Sequence, residues 1–76
     1  MSFQAYLDTI ERKTGKSPAD LRELGRAKGW TGDGALAPGV KAGAIVADLK
    51  SELGLGHGHA MAVVALLKGQ KKEGDA

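Results

Sequence analysis

Leu53-Gly54-Leu55-Gly56-His57-Gly58-His59-Ala60-Met61-Ala62-Val63-Val64-Ala65-Leu66-Leu67 decides how this chain folds. From Ala60 to Leu67 it is the longest uninterrupted apolar run of the sequence. It is far too short to span a bilayer, and it is apolar on every side of a helix. A helix of that kind sits in the centre of a domain or is covered by a partner. The seven residues from Gly54 to Ala60 hold three glycines and both histidines of the protein. Glycine there costs backbone entropy, so the turn requires special torsions or a close approach of backbone to something else.

Working outward, the residues before the turn predict a third helix from about Val40, with Ile45, Val46, Leu49 and Leu53 on one face and a weak N-terminus. Gly54 ends it, and Leu55 suits the apolar contact that accompanies a Schellman-type end. The fourth helix is expected from about Gly58 or His59 to Lys68. At the other end of the chain, Ser2 can cap a first helix in which Phe3, Tyr6, Leu7 and Ile10 share a face. An Asp8–Arg12 pair is expected to support it, and Gly15 closes it. Ser17-Pro18-Ala19-Asp20 is a start signal for a second helix: a cap, a proline at the first position and a carboxylate over the positive end. Leu21 and Leu24 face inward there, and the helix ends at Gly29. Trp30 to Gly39 reads as a loop anchored by Trp30 and Leu36, with no strand pattern. The fold expected is all-α: one small domain of four short helices over residues 1–68, the last two forming a helical hairpin, followed by a disordered polar tail over 69–76.

The chain has 76 residues and no cysteine, which leaves no disulfide and no thiolate metal site. It shows no signal-peptide pattern, and a cytoplasmic protein with no membrane contact is expected. Its net charge is +2. Residues 1–38 carry six basic and five acidic side chains, and residues 39–76 carry five and four. A nucleic-acid binder driven by bulk charge is more basic than this.

Four motifs bear on function. Leu53, Gly54, Leu55, Gly56, Ala60 and Val63 match the helix-hairpin-helix pattern, in which backbone N–H groups at a helix start meet a nucleic-acid phosphate. His57, Gly58 and His59 stand where a DNA-binding turn often supplies Lys or Arg, and the proline before the first glycine is missing. The plainer reading is a connector whose glycines satisfy geometry. His57-x-His59 offers two metal-ligand side chains but needs at least a third, with no obvious source nearby; Asp48 and Glu52 on the preceding helix are reached only if the hairpin folds that way. The plainer alternative has His59 capping the fourth helix and His57 in solvent or bonded to a backbone carbonyl. Lys13-Thr14-Gly15-Lys16-Ser17 contains Gly-Lys-Ser but lacks the preceding strand and glycine spacing of a phosphate loop. No Ser/His/Asp or Cys/His set is arranged for catalysis, so neither an enzyme nor a cofactor is expected.

Four segments together resemble a known family: Ser2-Phe3-Gln4-Ala5-Tyr6-Leu7, Lys13-Thr14-Gly15-Lys16-Ser17-Pro18, Pro38-Gly39-Val40-Lys41-Ala42 and Gly54-Leu55-Gly56-His57-Gly58-His59-Ala60-Met61-Ala62. The chain is similar over about residues 1–68 to an uncharacterised bacterial family, domain-of-unknown-function family 4287. The resemblance implies a short stand-alone or fused module rather than an enzyme, and brings no catalytic residue. The chain departs from the family at Asp48, where an aromatic residue is expected, and in a longer glycine-rich loop around Gly32-Asp33-Gly34.

The function expected is therefore a small non-catalytic binding module. Its candidate contact residues are Gly54, Gly56, His57, Gly58 and His59, with the start of the fourth helix. The partner is a protein (including a second copy, through Met61 and Ala65 or Ala62 and Leu66) or a nucleic acid. A histidine-dependent metal site or enzyme is the runner-up class.

Overall fold

A computed structural model describes residues 2–32 and 35–75. Four helices follow one another: α1 (Phe3–Thr14), α2 (Pro18–Ala27), α3 (Ala42–Leu53) and α4 (His57–Lys68). Between α2 and α3 lie two short antiparallel strands, β1 (Thr31–Gly32) and β2 (Ala35–Leu36), with Thr31 opposite Leu36 and Gly32 opposite Ala35. The expectation of a loop without strands is corrected here. Two-residue strands are too short to show an alternating pattern, and Trp30 C=O extends the pairing by accepting from Ala37 N–H at 2.9 Å. Asp33 and Gly34, part of the glycine-rich departure from the family, lie outside the described residues.

The helix starts follow local chemistry. Ser2 Oγ accepts from Ala5 N–H at 3.2 Å, which caps α1. Ser17 and Asp20 form a reciprocal capping box: Ser17 Oγ accepts from Asp20 N–H at 3.2 Å, and Asp20 accepts from Ser17 N–H at 3.0 Å. The Ser17 N–H, and after it the Ser17 hydroxyl, hold the Asp20 carboxyl below its ordinary range. The expected Asp8–Arg12 pair is not the contact made. Asp8 instead accepts from Gln4 Nε2 at 2.9 Å, and Arg12 donates to Thr9 Oγ1 at 3.2 Å.

α3 begins at Ala42, two residues later than expected. Pro38-Gly39 forms a turn closed by Val40 N–H to Ala37 C=O at 3.1 Å, with Gly39 at φ 84°. That is the arrangement of a type II turn, which needs positive φ at its third residue. It delivers Lys41 in extended conformation at the N-cap, with no side-chain cap.

α4 is the centre of the molecule. It touches α1, α2, α3 and β2. Ala60, Ala62, Val63, Val64, Leu66 and Leu67 are all buried. They meet Phe3, Leu7 and Ile10 of α1, Leu21 of α2, Ile45, Val46 and Leu49 of α3, and Trp30 and Leu55 in one core. Trp30 and Leu36 anchor the connection as expected, the first buried and the second half-buried. Lys28 fastens the end of α2 to α3, paired with Glu52 and 3.9 Å from Asp48, with its ammonium over the Trp30 ring.

α2 approaches α4 closely at Gly25. A Cβ there would lie 3.0 Å from Leu67 Cδ2 and 3.4 Å from both Leu67 Cδ1 and Thr31 Cγ2. The residues after α4 were expected to be disordered. In the structure they run back across α1 and α2. Gln4 N–H donates to Asp75 C=O at 3.3 Å, Gly74 N–H donates to Gln4 Oε1 at 2.8 Å, and Arg22 grips Glu73 through two bonds of 2.8 and 2.5 Å. Composition alone suggests solvation of such a tail, and these partners all lie far from it in sequence.

Two expectations follow. Gly25→Val should lower stability by about 1–3 kcal/mol in urea unfolding, because added methyls must displace Leu67 in a filled contact. The Arg22 fork, with a smaller part from backbone hydrogen bonding, holds the Glu73 carboxyl at about 2. A folded-state value below the unfolded one contributes stability above the ordinary carboxylate range, lost as pH falls through about 2. For so exposed a pair this contribution is small. Carboxyl carbon shifts should therefore place the Glu73 midpoint well below the ordinary glutamate value, with the Gly74 amide moving in the same window.

Candidate functional site

The α3–α4 turn is built from residues whose reasons can be separated. Gly54 closes α3 at φ 67° and ψ 22°, and its N–H donates to Leu49 C=O. An L-residue is strained there. Leu55 folds inward and is buried, as a Schellman-type end predicts. Gly56 is the N-cap of α4 at φ −72° and ψ 168°, an extended conformation open to any residue, and α4 starts at His57. This is one or two residues before the expected start. Ala60 is fully buried and Val63 almost so. The apolar positions of the helix-hairpin-helix pattern are thus explained by packing, and its first glycine by backbone torsion.

Gly56 and Gly58 have no such explanation. Neither has positive φ, and a Cβ on either would meet nothing within 4 Å. A side chain would fit at both places, and serine or aspartate at Gly56 would cap the helix better than glycine does. No side chain caps α4. Among the described residues, the N–H groups of His57, Gly58 and His59 donate to no backbone or side-chain acceptor. The first bonded amide is Ala60, donating to Gly56 C=O at 2.9 Å. Three donors therefore face outward from the positive end of a helix, beside glycines that leave them sterically open.

The histidines differ from each other. His57 is exposed, as in the plainer reading, while His59 is half-buried. The expectation that His59 caps α4 is corrected: its ring packs edge-on against Tyr6 of α1, centroids 5.2 Å apart at 81°. Its Nε2 is enclosed and meets no hydrogen-bonding partner among the described residues. Asp48 and Glu52, the possible further metal ligands, are directed to Lys28. No group of three or more His, Cys, Asp or Glu side chains is gathered for a metal among the described residues. Gly15-Lys16-Ser17 is a helix end followed by a cap: Lys16 N–H donates to Thr14 Oγ1 at 3.2 Å, and Ser17 serves α2.

One feature escaped the sequence. At the opposite end of α4, a cleft of about 480 Å³ opens over Leu66 and Leu67, edged by Arg22, Arg26, Lys71 and Lys72 and closed at one side by Thr31 and Gly32. The available signal is the four-residue spacing of Arg22 and Arg26, which places both on one helix face. The lysines join them only through the path of the tail.

The sequence profile described as Domain of unknown function (DUF4287) matches residues 2–69. The chain belongs to this family. No curated protein and no solved structure matches the chain. The DUF4287 match takes in all four helices and the glycine turn, and ends at Gly69, before the tail residues that edge the cleft. No helix among the described residues is long and apolar enough to cross a membrane.

The glycines of this DUF4287 turn are separable by stability measurements. Gly54→Ala should cost about 1–2 kcal/mol through its left-handed torsion. Gly58→Ala should be neutral or stabilise by up to about 1 kcal/mol, because it reduces the freedom of the unfolded chain.

Proposed function

We propose that this DUF4287 domain is a non-catalytic binding module that receives an anionic group of its partner on the backbone amides of His57, Gly58 and His59. The observation that carries this reading is the pair of glycines at 56 and 58, which nothing inside the molecule requires. Removing two Cβ atoms from the rim of a helix N-terminus lets an external oxygen approach the free donors closely. A phosphate of a nucleic-acid backbone is the anion such a hairpin is built to meet. Contact through amides would be insensitive to base sequence, since phosphates carry no sequence information.

The absence of Lys or Arg from Gly54–His59 limits the affinity. Few counterions would be released, so binding should be weak and should disappear at moderate salt. The test is a titration with a short DNA duplex at low ionic strength, following backbone amide shifts and repeated with Gly58→Val. The expected result is saturable shifts at His57, Gly58 and His59 that salt abolishes, and weaker binding in the variant. No binding at low salt, or shifts elsewhere, would overturn the nucleic-acid reading.

A protein partner is the second reading, and Met61 favours it. It is 42 % exposed, the one large apolar side chain so exposed among the described residues, and it lies one helical turn after His57. The other candidates for a self-association face are less available: Ala65 is half-buried, and Ala62 and Leu66 are buried. A single exposed methionine is ordinary on a monomer. It can supply one contact beside the amides rather than a dimer interface.

A further inference from the structure

We propose that the cleft at the C-terminal end of α4 is a second binding site, for a small organic anion with an apolar body, and that Glu73 of the chain's own tail occupies Arg22 until such a ligand displaces it. This inference is independent of the turn, which lies at the other end of α4.

The size, about 480 Å³, is that of a small-molecule site. Its floor is apolar, formed by Leu66 and Leu67, and its edges bring Arg22 and Arg26 of α2 to face Lys72 of the tail. Two of the carbonyls at the end of α4, which would repel an anion, are engaged: Leu66 C=O accepts from Gly69 N–H at 3.2 Å, and Ala65 C=O from Gln70 N–H at 3.1 Å.

Glu73 shows what the edge accepts. Its two oxygens lie on the two terminal nitrogens of Arg22 at 2.8 and 2.5 Å, the fork by which arginine recognises a carboxylate or a phosphate. Both side chains remain about two-fifths exposed, so the pair is open to exchange. Among the described residues Arg26 is paired with its neighbour Glu23, one turn away on the surface, with both side chains about two-thirds exposed. An anion over Leu66 and Leu67 can take the place of either carboxylate. Displacing Glu73 would also loosen the tail, which Gly74 and Asp75 otherwise tie to Gln4.

The test uses the full chain at low ionic strength with phenyl phosphate as the probe, followed by amide shifts, with inorganic phosphate and benzyl alcohol as comparisons. Phenyl phosphate is expected to give saturable shifts at Thr31, Gly32, Leu66, Leu67 and Gly69 and to bind more tightly than either comparison. Glu73→Gln should tighten it by about two- to fivefold, the scale of an exposed ion pair removed as competitor. Arg22→Gln should weaken it while thermal unfolding stays close to that of the parent. Absence of saturable shifts, equal binding of benzyl alcohol or inorganic phosphate, shifts confined to His57–His59, or unchanged affinity in Glu73→Gln would overturn the proposal.

Discussion

The structure depends on one constraint: α4 is apolar all round from Ala60 to Leu67 and must be covered on most of its surface. Burial of apolar surface is the main favourable term in folding, at about 25 cal/mol for each Å² removed from water. A chain of 76 residues has little material with which to do it. The solution is to place α4 in the middle and wrap it with α1, α2, α3 and the strand pair. Small residues make this possible. Ala60 has no exposure, and Gly25 lets α2 settle against Leu67 with no side chain between them.

The same constraint locates what is left for function. Most of the middle of α4 is committed to the core, so its two ends, with Met61, are what reaches solvent. The N-terminal end carries unsatisfied amides and two glycines without an internal role. The C-terminal end carries Leu66 and Leu67 as the floor of a cleft, surrounded by cations from α2 and the tail. Backbone dipoles supply the positive character at the first end, and side chains at the second. By this division a protein with a net charge of only +2 places positive character at both ends of one helix.

Much of this was legible in the sequence because the signals were local. Ser2, Ser17-Pro18-Ala19-Asp20, Gly15 and Gly54 mark helix ends by chemistry acting within a few residues, and the periodic apolar positions of α1 and α3 became buried, or half-buried at Tyr6 and Leu53. The glycine turn was legible as a place, though its residues could not be sorted. Gly54 differs from Gly56 and Gly58 only through torsion and neighbours, which three-dimensional coordinates reveal. The Tyr6–His59 contact, the Lys28 pairs with α3 and the Arg22–Glu73 fork join residues distant in sequence, and each depends on where the helices sit. The strands were missed because two residues carry no period. The path of the tail was not legible because its partners, Gln4 and Arg22, lie on the first two helices.

Native-state hydrogen exchange resolved by residue tests the central claim, that α4 is the shared core and its first three amides are open. The account predicts that Val63, Val64, Leu66 and Leu67 exchange only through global unfolding, while His57, Gly58 and His59 exchange near the rates of an unfolded chain. Slower exchange in α1 or α3 than in α4, or strong protection of His57, Gly58 and His59, would contradict it.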